Sequence, residues 1–419
     1  MLKVFTASWA LLLGMLFLMV GNGVQGTLLG IRGAIEGFST GQMSIVMSAY
    51  FAGFLIGSRM APEMIRRVGH VRVFAALGSL ISAVLVLYAA IPDWIAWTVL
   101  RVLIGFAFSG VYVTAESWLN NTASNENRGQ ALSLYMIVQM LGIIAAQALI
   151  NFADPAGFLL FIIPSVLVSL AFAPILLSIS PAPTFGTTRS MSMRELYDVS
   201  PLGVVGIFLM GGVFSALFGM TAVWGTEAGL SILEISVFTA AIYFGGLVFQ
   251  YPIGWLSDKM DRRKLLVAVA LIGTAAGAFA VLIDLSFLWL LGVALIIGGI
   301  SNPLYSLLVA YTNDYVDTDQ MAAVSGGLLF VNGLGAIVGP LAIGWIMSMI
   351  GPPGYFLFII TLTALLSIYA LYRMTQRPAP SVSESGPYAP VSPVVSAATV
   401  EAVLTEMTEQ MEEQKDGVS

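Results

Sequence analysis

Apolar residues run along this chain in long blocks separated by short polar or glycine-containing breaks, without the alternation of strands or the half-polar face of soluble helices. Twelve blocks stand out, at 8–30, 41–60, 73–91, 94–118, 131–151, 157–178, 201–224, 234–256, 264–283, 287–310, 322–348 and 354–374. Each supplies close to the ~20 residues a helix needs to cross a bilayer core of about 30 Å. Backbone in lipid satisfies its hydrogen bonds only as a helix or in a closed barrel, and continuous apolar runs lack a barrel's alternation. The pattern predicts an all-α polytopic membrane protein of about twelve transmembrane helices. The first block, after Lys3, is too long for a cleaved leader and lacks a small-residue cleavage site, so it is read as a span.

The polar breaks divide the chain further. Residues 179–200 form the longest polar stretch between blocks and read as a cytoplasmic linker between six spans in 1–178 and six in 201–375. Residues 376–419 are rich in Pro and Ser and then in acids, the composition of a disordered, solvated tail. Within that tail Val400, Val403, Leu404, Met407 and Met411 recur at helical spacing among glutamates.

The two sets of six repeat one another. Ala156–Ile163 (AGFLLFII) resembles Pro353–Ile360 (PGYFLFII) at an offset of 197 residues, and the same offset joins Gly57 to Gly254, Gly14 to Gly211 and Phe17 to Phe214. Related halves about a central axis are a transporter architecture.

Composition agrees: 58% of the 419 residues are hydrophobic and 10% charged, against roughly 25% charged in a soluble domain. The net charge of −6 lies in the tail, where seven acids meet one base, Lys415, and the rest of the chain is neutral. No basic surface for nucleic acid follows. With no Cys and only His70, no disulfide, metal site or cofactor is predicted. A phosphate loop of the form G-x-x-x-x-G-K-[ST] is absent, which argues against primary transport, and no nucleophile–base–orienter set suggests an enzyme. Arg59, Arg66, Arg67, Arg72, Arg128, Arg189, Arg194, Lys259, Arg262, Arg263, Lys264, Arg373 and Arg377 fall on one side of the twelve-span layout. The positive-inside rule then places both termini in the cytoplasm of a cell whose inner (plasma) membrane holds the protein.

The segment Gly254-Trp255-Leu256-Ser257-Asp258-Lys259-Met260-Asp261-Arg262-Arg263-Lys264 resembles the inner-loop signature of the major facilitator superfamily, G-x-L-a-D-r-x-G-r-r. The first-half copy keeps Gly57 but has Ala61 where the family has Asp, and Arg66 and Arg67 come late. Arg101 followed by Gly105 and Gly110, and Tyr112 to Glu116 leading to Arg128-Gly129, are similar to the family's fourth span and its junction with the fifth. The wording VTAESWLN…ENRGQALSLYM and FQYPIGWLSDK is closest to the bacterial YcaD-like branch. The resemblance covers residues 1 to about 375 and implies alternating access around a central cavity for a small solute, by symport or antiport coupled to protons or sodium. It implies no particular substrate.

Residues with chemistry inside the spans are few. Arg101 sits in the membrane region, where a charge is expensive and by default functional. It is expected either to bind an anionic solute or to bond polar neighbours such as Asn22 and Gln25. No carboxylate sits near the midplane of a span to carry a proton. Cavity polarity is therefore assigned to uncharged groups: Asn22, Gln25 and Thr27, Gln139 and Gln147, Gln250, Asn302 and Asn332, flanked by Tyr50, Tyr135, Trp224, Tyr243 and Tyr305. Their alternative role is to hold helices together. Glu116, Arg128, Asp258, Arg262, Arg263 and Asp314 lie at the cytoplasmic ends of spans and are expected to form a charge network that latches an inner gate, with Asp258 reaching toward the start of the fifth span. Arg32 and Glu36 are expected to pair at the outer end of the first span. A small polar or anionic metabolite is the favoured cargo and a drug-like compound the second. The rival reading is a non-transporting sensor or assembly protein whose acidic tail binds a protein partner.

Overall fold

The computed structural model describes residues 2–122, 128–176, 191–283, 286–316, 320–376 and 388. The predicted spans are helices, numbered α1 Leu2–Ile35, α2 Thr40–Val68, α3 His70–Ala90, α4 Trp94–Thr122, α5 Arg128–Ile150 and α6 Leu159–Leu176 in the first half. The second half holds α8 Pro201–Ser215 and α9 Thr221–Glu227, then α10 Ile232–Ser257, α11 Arg262–Leu282, α12 Phe287–Asn313, α13 Met321–Ile350 and α14 Pro353–Gln376. Between the halves lies the short α7, Met193–Val199. Eleven of the described helices are long and apolar enough to cross a membrane, counting α8 and α9 as one. The block at 157–178 is the shorter apolar helix α6.

Two elements differ from the simple pattern. The polar linker contains α7, because Ser192 and Glu195 close a reciprocal capping box on the helix start. Leu196 is buried against Gly327 of α13, which fixes α7 to the bundle. The seventh span is interrupted by a π turn at Ala216–Met220, joining α8 to α9. Residues 177–190 of the linker and the tail lie outside the described residues, including the amphipathic pattern at Val400–Met411; Tyr388 is the described exception in the tail.

The sequence repeat reappears in the packing. In the first half α1 lies on α5, α2 on α4 and α3 on α6; in the second α8 lies on α13, α10 on α12 and α11 on α14. Glycines allow the closest of these approaches: Gly53 and Gly57 of α2 face the backbone of Val102 and Phe106 in α4, and Gly245 of α10 faces that of Leu295 in α12. The halves meet along α1 with α9, α2 with α13 and α5 with α10, again paired as the repeat demands. The start of α1, the starts of α8 and α11 and the ends of α2, α10, α12 and α14 share one face, called here the terminal face. At the opposite face the halves are in contact: Thr40 donates to Glu227 at 2.8 Å, Ser44 packs on Gly344, and deeper in, Ser48 donates to the Ile337 carbonyl at 2.6 Å.

Candidate functional site

A cavity between the halves has room of about 140 Å³, enough for roughly ten waters. The elements that build it are α1, α2, α4 and α5 on one side and α8, the π turn, α9, α10, α12 and α13 on the other.

Among the described residues Arg101 of α4 is the one charged residue that lines it, and it is 2% exposed. One terminal nitrogen donates to Gln25 Oε1, the other lies 2.9 Å from Met47 Sδ, and the guanidinium carbon sits 4.9 Å from the centre of the Tyr50 ring. Its Nε has no partner among the described residues. Polar side chains continue from there: Gln25 Nε2 donates to Asn22 Oδ1 at 3.0 Å, and Asn22 Nδ2 donates to the Tyr112 hydroxyl at 2.9 Å. Three helices thus converge on one cation, and none of the described residues that line the cavity is a carboxylate. A buried charge in that condition is costly and favours an anion that enters with its own charge.

The wall contributed by the second half is aromatic. Phe218 lies in the π turn, where the extra residue turns its ring between Phe214, at 5.3 Å and 27°, and Tyr243, at 4.9 Å and 28°. Single π turns inside α-helices occur often at functional sites. On the facing side Tyr50, Phe51 and Phe54 of α2 carry rings to the same space. Offset rings of this kind accept a flat guest through the attraction of a ring edge or face for another.

The profile of the Major Facilitator Superfamily matches residues 11–242 and 202–406. The chain belongs to the major facilitator superfamily. It is a multi-pass membrane transporter of that family. The chain is 28% identical over 393 residues to the MFS-type transporter YcaD of Escherichia fergusonii, covering 91% of this chain and 100% of that one. Against the YcaD protein of Escherichia coli O45:K1 it is 28% identical over 379 residues, covering 88% and 96%. Among solved structures, the fold is similar to nucleoside transporter NupG, with a TM-score of 0.71 and 13% identity over 88% of this chain and 98% of that one. It is also similar to a bacterial homologue of the human lysosomal transporter Spinster in an inward-facing, unoccupied conformation, with a TM-score of 0.68 and 15% identity over 96% and 98%.

Of the residues singled out from the sequence, Arg101, Asn22, Gln25, Gln139, Tyr243, Asn302 and Asn332 line the cavity, and Thr27 and Tyr50 join them. Tyr135 and Tyr305 do not. Tyr135 donates to Glu116 Oε1 at 3.3 Å, and Tyr305 meets the edge of Phe214 behind the wall. Gln147 accepts from Thr27, Gln250 donates to Ser306, and Trp224 stacks on Tyr355, so these three hold helices together. Tyr112, named only within the family-like stretch to Glu116, and Phe218 are not assigned to the cavity from the sequence: an aromatic residue inside an apolar run carries no sign of the side it faces. The four-residue spacing of Phe214 and Phe218, just before Gly219, is the one local hint.

Several of the charges at the terminal face have described partners. Arg262 lies 2.6 Å from Asp314 and 3.7 Å from Asp258, tying the start of α11 to the ends of α10 and α12. Arg263 pairs with Asp261 at 3.0 Å; the Asp261 carboxyl, raised by burial, is lowered more by its bonds to Arg263 and ends below its usual range. Glu116, fully buried, is in the other half. Arg66 and Arg67 close onto Glu63 of their own helix. Asp258 accepts a hydrogen bond from the backbone N–H of Tyr388 at 2.9 Å, so its described partners belong to its own half or the tail. The Arg128 side chain lies outside the described residues. At the opposite face Arg32 pairs with Glu36 at 2.5 Å and also donates to the carbonyls of Pro155 and Ala156.

Proposed function

We propose that the chain is a secondary transporter of a small organic anion carrying a flat ring, moved by rocking of the two six-helix halves about the central cavity. The observation that carries this reading is Arg101, a buried guanidinium with no carboxylate facing it among the described residues of the cavity wall. The Phe214–Phe218–Tyr243 stack supplies the preference for a ring. Contact between the halves at the opposite face leaves the terminal face as the route to the cavity in this conformation. The cluster of basic residues on that face supports a cytoplasmic assignment for it. Since no acid lines the cavity among the described residues, the proton or sodium that drives transport is assigned a carrier elsewhere, and Glu116, buried in α4, is the candidate.

The test uses three probes of similar size on purified protein: benzoate, cyclohexanecarboxylate and benzamide. Benzoate is expected to raise the melting temperature and bind about tenfold more tightly than cyclohexanecarboxylate, the advantage one aromatic contact gives. Benzamide is expected to bind weakly or not at all, and labelled benzoate to cross proteoliposomes that contain the protein. Equal binding of benzamide would replace the anion with a neutral, drug-like aromatic cargo. Binding without flux of any probe would favour the sensor.

A further inference from the structure

At the end of α10 three residues four apart, Gln250, Gly254 and Asp258, lie along one helix face. Tyr388, 130 residues after Asp258 along the chain, makes contact with all three. Its backbone N–H donates to Asp258 Oδ1 at 2.9 Å, and its hydroxyl accepts from Gln250 Nε2 at 3.0 Å. Its ring covers Gly254 so closely that a Cβ there would come within 2.6 Å of two ring carbons. The side chain is 6% exposed. Gln250 also donates to Ser306 of α12, so the tyrosine is seated where α10 and α12 meet at the terminal face.

The repeat shows what is special about this place. Gly57, one repeat before Gly254, has the backbone of Phe106 in α4 as its nearest neighbour. In the first half, then, the glycine admits a neighbouring helix; in the second it admits a phenol ring from the tail. Gly254 thus opens a slot shaped for a ring, with a donor at one end and a carboxylate at the other. Burial pushes the Tyr388 phenol up from its ordinary range, so it enters as the neutral acceptor that Gln250 requires.

We infer that the slot of Gln250, Gly254 and Asp258 captures Tyr388 of the chain's own tail, and that the docked tail restrains the switch between transport states. Closing the terminal face brings the loop after α10 toward the first half, and of that loop's two carboxylates Asp261 is paired with Arg263, while Asp258 is the one that Tyr388 engages. While its oxygen accepts from Tyr388 and lies beside Arg262, it is held within its own half. Docking therefore favours the present conformation, with the opposite face closed. The restraint rests on the rocking proposed above; the docking itself does not.

The absence of cysteine makes this 419-residue chain suited to single-cysteine labelling with a water-soluble maleimide. Ser306→Cys reports on the slot and Ser44→Cys, buried at the opposite-face contact, reports on opening there. Tyr388→Ala is expected to speed labelling at position 306 about tenfold, the change that loss of one or two buried hydrogen bonds brings. Tyr388→Phe, which keeps the ring and the backbone bond, is expected to fall between. With the tail released, labelling at position 44 is expected to rise several-fold. Unchanged labelling at position 306 in Tyr388→Ala would overturn docking. Faster labelling at 306 with no change at 44 would overturn the restraint while docking stands. No labelling at position 44 in any variant, with or without probe anion, would count against rocking itself and not against the slot.

Discussion

At the scale of single residues, Arg101 separates binding from structure. If its guanidinium holds an anionic group of the cargo, a planar fork is being used, and a point ammonium does not reproduce it. Arg101→Lys is expected to weaken benzoate binding by about tenfold or more, and Arg101→Ala further, since a hydrogen bond to a charged group contributes roughly 1.5–3 kcal/mol. The same side chain also anchors Gln25 and lies on Met47 and Tyr50, so melting temperature is to be measured beside affinity. Normal melting with normal binding in Arg101→Ala would remove Arg101 from both roles. Arg101 was legible in the sequence because a charge in an apolar run has few explanations. Its link to Gln25 was legible too, through the few polar positions of the first span. Tyr135 illustrates the opposite case: its hydroxyl looks toward Glu116 because of the rotation of α5, which no single position records.

At the scale of elements, the close crossing of α2 and α4 places the cation. A Cβ added at Gly105 would overlap the Tyr50 carbonyl and come within 2.9 Å of its carbon, and backbone cannot move aside as a side-chain tip can. Gly105→Val is expected to cost about 1–3 kcal/mol as overpacking. It should push α2 away from α4 and carry the Tyr50 ring off Arg101, lowering both melting temperature and probe affinity. Unchanged melting would mean that the two helices do not need this contact. Such glycines are readable as a composition, since transmembrane helices in contact favour small residues. The π turn is not, because no residue type dictates an extra residue in a turn; the packing of Phe218 between Phe214 and Tyr243 selects it.

For the molecule as a whole, the alternation of basic and neutral loops predicts that the terminal face is cytoplasmic. A phosphatase reporter joined after residue 377 is expected to be inactive and a fluorescent protein at the same place bright; the reverse result would invert the topology. The pairing of α1 with α9, α2 with α13 and α5 with α10 follows the offset of 197 residues visible in the primary structure. The acidic tail looked in the sequence like a solvated appendage, and most of it lies outside the described residues. Tyr388 could not be told from the residues around it, because the slot that receives it is assembled from α10 and α12, far earlier in the chain.

Hydropathy alone determined that this chain is a helical membrane protein, since lipid offers unsatisfied backbone groups no other partner. The offset repeat determined that it is built in two related halves, because similar apolar patterns pack in similar ways. The signature at Gly254–Lys264 pointed to the superfamily that the profile match establishes. Helix rotation was beyond the sequence, because in spans apolar on every side periodicity no longer marks the inward face. Tertiary packing therefore decided that Tyr112 and Phe218 face the cavity while Tyr305 stands behind its wall, and that Asp258 meets Tyr388. Each of these depends on how helices distant in sequence turn toward one another, a property of the packed bundle.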